Sequence, residues 1–237
     1  MKDSFFNQIE KGLIVSCQAL EDEPLHGSDV MAKMAKAAEL GGAIGIRANG
    51  MNDIAAIKRA VRLPIIGLVK RNYPDSEVYI TPTIKEINEL LEVGVDAIAL
   101  DATKRIRPNG ESLDDLVKYI KGNGVRVMAD ISTLDEGLLA EVLQVDCVST
   151  TLSGYTTYST KKYGPDFKLL KEITQSLKIP VIAEGKIHTP EQVIEAFRIG
   201  AHSVVVGSAI TRPQLITEMY VSEINRMKSG EPNQSNL

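Results

Sequence analysis

Residue types that build metal centres are scarce in this chain of 237 residues, which has three histidines and two cysteines. The histidines are His26, His188 and His202. They form no HxH or HxxxH pair, and none directly follows a predicted strand. Enzymatic metal sites draw on clustered histidine and carboxylate ligands. We therefore expect no metal.

The sequence also offers little that would place it outside the cytoplasm. Cys17 and Cys147 both fall in predicted strands, and we interpret them as reduced core residues of a cytoplasmic protein rather than as a disulfide. No apolar run is long enough to span a membrane. The N-terminal MKDSFFNQIEKG lacks the apolar core of a signal peptide. We expect the polar segment 229–237 to be a disordered tail.

Positive charge is also limited. Lys and Arg number 27 against 31 Asp and Glu, a formal net charge of −4, which argues against a nucleic-acid partner. No GxxxxGK[ST] loop for a nucleotide is present.

Eight short apolar runs, each rich in strand-forming residues, alternate with helical segments. This alternation indicates a parallel sheet with right-handed crossovers, and eight units favour a single-domain (β/α)8 TIM barrel over residues 1–228. The competing doubly wound sheet would carry a GxGxxG turn after its first strand, where this chain has Gln18-Ala19-Leu20-Glu21. The predicted strands are Leu13–Cys17, Ala43–Ile46, Ile65–Val69, Ala97–Leu100, Arg126–Ala129, Cys147–Ser149, Val181–Ala183 and Ser203–Val206.

The stretch Pro180–Pro213 contains the last two predicted strands and predicts a phosphate site. In barrels of this type the loops after strands seven and eight, with a short extra helix, form the usual phosphate cup. Here these strands end in Glu184-Gly185 and Gly207-Ser208, and glycines let backbone N–H groups approach an anion. We predict that Gly185, Gly207 and Ser208 bind phosphate.

The residue after each predicted strand is polar or glycine. Barrel enzymes place their chemistry at these positions. Some of them have plainer roles: Asp101 and Asp130 fit as helix caps, Thr150 as a structural residue and Gln18 as a polar lining residue. The eight residues are Gln18, Arg47, Lys70, Asp101, Asp130, Thr150, Glu184 and Gly207.

Lys70 and Glu184 are the strongest catalytic candidates. Strands three and seven lie on opposite sides of an eight-stranded ring, so these side chains face each other across its mouth. A lysine in a partly dry pocket can act as a base and a buried carboxylate as an acid. Asp130 is placed to orient the lysine. The alternative is a salt-bridged triad that only stabilises the barrel, but buried ion pairs are poor stabilisers.

Two arginines are candidates for substrate contacts. The Arg47 guanidinium suits a carbonyl, hydroxyl or phosphate oxygen. Arg212 follows the predicted phosphate helix and is favoured as a partner of the phosphate; the alternative is a surface residue, because it precedes Pro213. A positive mouth on an acidic body would steer an anionic substrate, although some of its basic residues are simply solvated. The basic residues expected at the mouth are Arg47, Lys70, Arg71, Lys104, Arg105, Lys186 and Arg212.

Eight blocks of sequence occur in order along almost the whole chain: SCQA (16–19), GIRANG (45–50), VYITPT (78–83), ALDAT (99–103), ADIST (129–133), TTLSGYT (150–156), VIAEG (181–185) and VVVGSAITRP (204–213). Together they resemble one family, the bacterial N-acetylmannosamine-6-phosphate 2-epimerases of sialic acid catabolism. A departure is Gln144-Val145-Asp146, where many relatives have glycine at the helix end.

The resemblance implies interconversion of N-acetylmannosamine 6-phosphate and N-acetylglucosamine 6-phosphate, and a homodimer, because relatives are reported as oligomers. It places the catalytic groups at Lys70, Glu184 and Asp130. The remaining implied contacts are Gln18, Arg47, Tyr155 and Arg212 to the substrate and Gly185, Gly207 and Ser208 to its phosphate.

In the implied reaction the sugar ring opens, the C2 proton is removed to give an enolate, and reprotonation on the other face inverts the centre. No cofactor is needed, because the carbonyl is the electron sink. The sequence leaves open which group opens the ring and whether Lys70 or Glu184 removes the proton in each direction. Two alternatives are a Schiff-base aldolase or lyase using Lys70 and a non-catalytic sugar-phosphate sensor.

Overall fold

The eight predicted strands form a closed parallel barrel in the computed structural model, which describes residues 4–161 and 163–229. Each strand pairs with the next, and the last pairs with the first through Leu13↔Val204, Ile14↔Val205 and Val15↔Val206. The predicted (β/α)8 TIM barrel is confirmed. The strands are β1 Leu13–Cys17, β2 Gly45–Asn49, β3 Ile65–Leu68, β4 Ala97–Asp101, β5 Arg126–Asp130, β6 Cys147–Ser149, β7 Val181–Ala183 and β8 Ser203–Val206.

Helices connect the strands and surround the barrel. The predicted short helix after β8 is present as α9, and Ser229, the first residue of the predicted tail, ends α10; the rest of that tail lies outside the described residues. The helices are α1 Ser4–Gln8, α2 Ser28–Leu40, α3 Met51–Ala60, α4 Ile84–Val93, α5 Leu113–Gly122, α6 Leu134–Val142, α7 Phe167–Ser176, α8 Pro190–Ile199, α9 Ser208–Thr211 and α10 Pro213–Ser229.

Strand bounds match the predictions at β1, β6, β7 and β8. The largest difference is at β2, which was predicted over Ala43–Ile46 and instead occupies Gly45–Asn49. The apolar run stops at Arg47, but the strand continues because the top of the barrel interior is the charged site rather than the apolar core. Arg47 therefore lies inside a strand and not in a loop.

The core has two layers. One fills the barrel interior and includes Ile66, Leu68, Met128 and Ile182, and the other lies between the strands and the helices. The N-terminal end of the barrel is closed by α1, whose Phe5 is 3% exposed. This closure makes the C-terminal mouth the open end.

Local sequence signals set several helix ends. Thr83, Thr133 and Thr189 each form a capping box with the residue three positions later, which satisfies two backbone N–H groups. Gln144, at the departure from the family pattern noted in the sequence, has φ 61°, in the left-handed region that favours glycine. The departure from the family pattern is therefore confined to a turn.

Neither cysteine is paired: Cys17 and Cys147 are buried free thiols, as predicted. His202 is structural, with its Nε2 2.9 Å from the carbonyl oxygen of Phe6. Among residues 4–161 and 163–229, no helix combines the length and apolarity needed to cross a membrane.

Candidate active site

A cavity of about 560 Å³ opens at the C-terminal mouth of the barrel. Nine of the ten predicted site residues line it, and the tenth, Asp130, lies beneath and contacts two of the lining side chains. The nine are Gln18, Arg47, Lys70, Tyr155, Glu184, Gly185, Gly207, Ser208 and Arg212.

Lys70 lies just beyond β3, at the start of a loop that folds back over the mouth. Its backbone pairs with Ile80 in an antiparallel bridge, and its backbone N–H donates to Asn49 Oδ1 at 2.8 Å. Burial lowers the pKa of the Lys70 ammonium to about 8, with a further contribution from Arg212 and Arg47. The loop thus holds an amine that loses its proton near neutral pH.

Glu184 lies directly after β7, and its side chain is 13% exposed. Thr150 fixes its backbone, because the Thr150 hydroxyl donates to the Glu184 carbonyl at 2.7 Å and accepts from its N–H at 3.0 Å. This matches the structural role expected of Thr150. Burial raises the pKa of Glu184, while the charge of Arg47 opposes the rise.

Arg47 is the charged centre beneath the cavity. It is 1% exposed, and its guanidinium forms a two-point pair with the fully buried Asp130, at 3.1 Å and 2.6 Å. The same guanidinium lies 3.2 Å from Glu184 Oε2. Burial alone would lower the pKa of Arg47, but the charges of Asp130 and Glu184 outweigh it and raise the pKa.

The pairing corrects one sequence-based expectation. Asp130 was expected to orient Lys70, but its carboxylate pairs with Arg47 instead. The ion-paired triad is Arg47, Asp130 and Glu184. Within the described part of the chain, the Lys70 ammonium forms no hydrogen bond or ion pair, so its lone pair is not tied to a neighbour when it is deprotonated.

Thr151 joins the two carboxylates of this triad. Its hydroxyl lies 2.7 Å from Asp130 Oδ1 and 3.1 Å from Glu184 Oε2. The Ser149 hydroxyl lies 2.8 Å from the same Thr151 oxygen. Thr151 was not among the predicted site residues. It lies two residues past β6 in a 3-10 turn, whereas the sequence pattern marks only the residue directly after each strand, which here is Thr150.

The three residues predicted to form a phosphate cup, Gly185, Gly207 and Ser208, lie in or directly after the loops that follow β7 and β8 and line the cavity. Gly185 has φ 105°, a conformation that needs glycine. A Cβ on Gly207 would come 3.3 Å from Ser16 Cβ, so a larger residue would crowd the cup. Gly207 is also the residue before α9, which starts at Ser208.

Arg212 directly follows α9 and lines the cavity beside the predicted cup. Its Nη2 donates to Glu23 Oε1 at 2.6 Å, while Gln214 Nε2 donates to Glu23 Oε2 at 3.0 Å. Glu23 belongs to the loop after β1, so one carboxylate ties the first loop of the barrel to the last. Sequence reasoning missed Glu23, because Glu21, Asp22 and Glu23 form an acidic run with no signal that separates them.

Tyr155 stands at the rim of the cavity. It is 54% exposed, and Lys186 Nζ lies 5.0 Å from the centre of its ring. Gln18, directly after β1, also lines the cavity; it is buried and donates to Ser16 Oγ at 2.8 Å, and its Oε1 has no hydrogen-bond partner among the described residues. An acceptor without a partner at the cavity wall can receive a hydroxyl or amide N–H of a bound molecule.

The positive mouth expected from the sequence is partly neutralised. Arg71 pairs with Glu86 and Glu89, and Arg105 pairs with Asp101 at 2.5 Å. Asp101 also accepts from the backbone and hydroxyl of Thr103, so it holds its loop and does not reach the cavity. Several arginines at the mouth are therefore paired with carboxylates, whereas the Lys70 ammonium has no pairing partner among the residues that the structure describes. The mouth is not uniformly positive.

These features suit proton transfer on a small anion. Two titratable groups face the cavity with oppositely shifted pKa values, Lys70 lowered and Glu184 raised, which is the pattern of an acid–base pair. An arginine lies beside Glu184 to meet developing negative charge. Together with the cup, the arrangement fits a phosphorylated substrate with an acidic C–H bond.

Comparison with known proteins points to one family. A family model described as "Putative N-acetylmannosamine-6-phosphate epimerase" matches residues 31–226. A protein of Clostridioides difficile (strain 630) named "Putative N-acetylmannosamine-6-phosphate 2-epimerase" is 60% identical over 92% of this chain and 98% of its own. One of the same name from Oceanobacillus iheyensis is 56% identical over 91% of this chain and 99% of its own.

Solved structures agree with these matches. The structure of the N-acetylmannosamine-6-phosphate 2-epimerase from Clostridium perfringens superposes with a TM-score of 0.92 at 56% identity, covering 94% of this chain and 97% of that one. A thiamine phosphate pyrophosphorylase from Pyrococcus furiosus, 19% identical with a TM-score of 0.58, covers 92% of this chain and 98% of its own and shares the fold alone.

Proposed function

The chain belongs to the family of N-acetylmannosamine-6-phosphate epimerases, and we propose that it interconverts N-acetylmannosamine 6-phosphate and N-acetylglucosamine 6-phosphate, with Lys70 and Glu184 moving the C2 proton. The observation that carries the catalytic assignment is the opposite shift of the two pKa values across one cavity. The comparisons give no support to the aldolase or sensor alternatives.

The reaction uses the open-chain sugar, whose aldehyde makes the C2 proton acidic. One of the two groups removes this proton and the other returns a proton to the opposite face, which inverts the carbon. A positioned acid or base is worth about two to four orders of magnitude in rate. The enolate oxygen carries the negative charge in between, and Arg47, held in place by Asp130, is the donor that stabilises it. The carbonyl is the electron sink, so the proposal requires no cofactor.

The substrate phosphate is placed in the cup of Gly185, Gly207 and Ser208, with Arg212 as its charged partner. Gln18 and Tyr155, which also line the cavity, complete the proposed substrate contacts. This placement holds the reacting carbons of the open chain between Lys70 and Glu184, because the phosphate end is fixed on the β7–β8 side of the mouth.

Proton NMR in deuterated buffer tests the reaction and its route together. N-acetylmannosamine 6-phosphate incubated with the purified, metal-free protein should give the gluco epimer with deuterium at C2. Epimer without deuterium would contradict a solvent-exchanging acid–base route, and the absence of epimer would overturn the proposed function.

Lys70→Ala tests the base. The variant should lose C2 hydrogen exchange while still binding the phosphorylated sugar, because the cup lies elsewhere on the cavity wall. Lys118→Ala is the matched control, since Lys118 is an exposed residue paired with Asp114 on a surface helix. Near-normal exchange in Lys70→Ala would rule out the proposed role of this lysine.

We also propose that the protein is a homodimer that buries one face of α10. This helix has no buried residue, which is unusual for a helix that carries so many apolar side chains. Light scattering of the protein eluting from a size-exclusion column should give twice the chain mass. The double variant with Met219→Asp and Ile224→Asp should be monomeric. A monomeric native protein would contradict the proposal. The exposed apolar residues of α10 are Leu215, Met219, Tyr220, Val221, Ile224 and Met227.

A cytoplasmic location completes the proposal. Two buried, unpaired cysteines suit a reducing compartment. A phosphorylated sugar is charged, so its enzyme is expected where phosphorylated metabolites are made.

A further inference from the structure

Thr151 is the side chain that bridges the two carboxylates of the candidate site. Its Oγ1 is within hydrogen-bond distance of Asp130 Oδ1, at 2.7 Å, and of Glu184 Oε2, at 3.1 Å. A hydroxyl carries a single hydrogen. It can therefore donate to one of these carboxylates at a time, although it lies close enough to serve either.

The surroundings decide which carboxylate receives that hydrogen. Asp130 already accepts two bonds from the Arg47 guanidinium, so it remains satisfied if the hydroxyl turns away. Glu184 receives a weaker contact from Arg47 at 3.2 Å and also faces the charge of Lys70. It is the group whose protonation changes in the proposed reaction. Ser149 can donate to the Thr151 oxygen in both arrangements, because its hydroxyl lies 2.8 Å away.

We propose that Thr151 is a positioning residue for the epimerisation: its hydroxyl donates to Glu184 while that carboxylate is ionised and turns to Asp130 while Glu184 is protonated. The proposal rests on the proposed function. The switch needs rotation about one C–O bond and no movement of heavier atoms. Glu184 thus keeps one place in both of its protonation states, as a group that both gives and takes a proton requires.

The two states differ in a way that can be measured. A donor aimed at Glu184 favours its ionised form, and the hydrogen bond from Thr151 does hold the pKa of Glu184 below the value that burial alone would give. Removing the donor therefore shifts Glu184 toward the protonated form. The limb of the pH–rate profile that reports Glu184 moves to higher pH.

Thr151→Val tests the proposal, because it keeps the shape and removes the hydroxyl. We expect kcat to fall about tenfold and the Glu184 limb to move up by about one pH unit. Thr151→Ser keeps the hydroxyl and should restore both. Thr156→Val is the control: Thr156 is a buried threonine of the same loop, and its hydroxyl bonds to Ser132 and Ser159, away from the cavity.

Two outcomes overturn the proposal. One is a Thr151→Val enzyme with native kcat and pH profile. The other is a slower enzyme whose profile does not move, since a purely structural residue would give that result; Thr151→Ala replaces the valine variant if the latter does not fold. Failure of the proposed function is separate, because it would show as a native protein that forms no epimer.

Discussion

At the scale of single residues, Arg47 shows how a charge can be kept inside a barrel. A guanidinium that is 1% exposed is tolerated because Asp130 and Glu184 lie against it. A buried pair contributes little stability over apolar residues, but removing one partner leaves an uncompensated charge. In the proposed reaction Arg47 stabilises the enolate, and its carboxylate neighbours make its burial possible.

Replacing Arg47 should be costly for this reason. Arg47→Met leaves two carboxylates buried without their cation, and we expect it to lower the free energy of unfolding by about 3–5 kcal/mol. Urea denaturation measures this change. The exposed Arg198, replaced in the same way, should change stability by less than about 0.5 kcal/mol. If Arg47→Met lowers the free energy of unfolding by less than about 1 kcal/mol, the two carboxylates become protonated in the variant with little effect on stability.

The pH dependence of activity tests the role of Lys70. Its ammonium must lose a proton to act as a base, so kcat/KM of the native enzyme should have an ascending limb of about tenfold per pH unit that bends at a pKa of about 8. Burial is the main cause of that value, and the sign is fixed because burial disfavours the charged form. An ascending limb centred near the ordinary lysine value of 10.5 would show that the amine is fully solvated.

For single residues, the sequence predicted the side chains that directly follow strands. It did not predict the side chains that hydrogen-bond to them. Lys70 and Glu184 could be identified because fold and residue type together fix their position. Asn49, Thr151 and Glu23 could not, because a side-chain hydrogen bond depends on rotamers and on loop paths that leave no periodic signal. The same limit explains why Asp130 was assigned to Lys70 rather than to Arg47.

At the scale of elements, the barrel depends on a few contacts between units that are far apart in sequence. The loop after β1 and the segment after α9 are joined by Glu23, which accepts from Arg212, Gln214 and the backbone N–H of Leu20. A carboxylate held by three donors is not easily displaced. It leaves the other nitrogens of the Arg212 guanidinium available to a phosphate.

Glu23→Gln should weaken this tie. We expect KM for the phosphorylated sugar to rise about tenfold, with kcat within about twofold of native, because the change affects binding and not the proton transfers. Because the Glu23 charge raises the pKa of Lys70, its loss should also move the ascending limb to lower pH. Glu21→Gln, on the exposed side of the same loop, is the control. A lower KM in Glu23→Gln would mean that the carboxylate competes with the substrate.

Two glycines provide a paired test of packing between elements. A Cβ on Gly67, in β3, would lie 2.7 Å from Val95 and 3.0 Å from Leu90, so Gly67→Ala should cost about 1–3 kcal/mol. Gly122 ends α5 and has nothing within 4 Å, so Gly122→Ala should be neutral or stabilise by up to about 1 kcal/mol. Thermal or urea unfolding of the two variants measures both effects, and equal effects would contradict the close approach of β3 to α4.

Element positions were more predictable than side-chain contacts. Alternating apolar strands and amphipathic helices leave a strong periodic signal, and four strands have the predicted bounds. The periodic signal fails at two places. In β2 the strand carries a charged residue into the barrel interior. After β3 the loop folds back over the mouth and is held by the backbone bridge between Lys70 and Ile80. Both failures lie at the site, where function replaces the apolar pattern.

At the scale of the whole molecule, charge is balanced locally. The formal net charge is −4, and Arg47, Arg71, Arg105 and Arg212 each have a carboxylate partner at the mouth. Long-range steering of the substrate is therefore weak.

We expect kcat/KM to fall by less than about threefold as ionic strength rises from about 0.01 to 0.1 M, a range over which the screening length shortens from about 30 to about 10 Å. Steady-state kinetics in increasing sodium chloride measures this, and viscosity-matched sucrose is the control for diffusion. A tenfold or larger fall in kcat/KM would show that the charges of the protein steer the substrate toward the mouth over long distances.

The ring order of the barrel has a consequence for assembly. Gln18, Arg47 and Lys70 come from the units of β1 to β4, whereas Asp130, Glu184 and Arg212 come from the units of β5 to β8. Neither half-barrel contains both Lys70 and Glu184, the proposed acid–base pair, so we expect two fragments divided between β4 and β5 each to be inert. If epimerisation appears when the two fragments are mixed, the fragments have assembled. Epimerisation would therefore measure directly whether the eight-stranded barrel has closed.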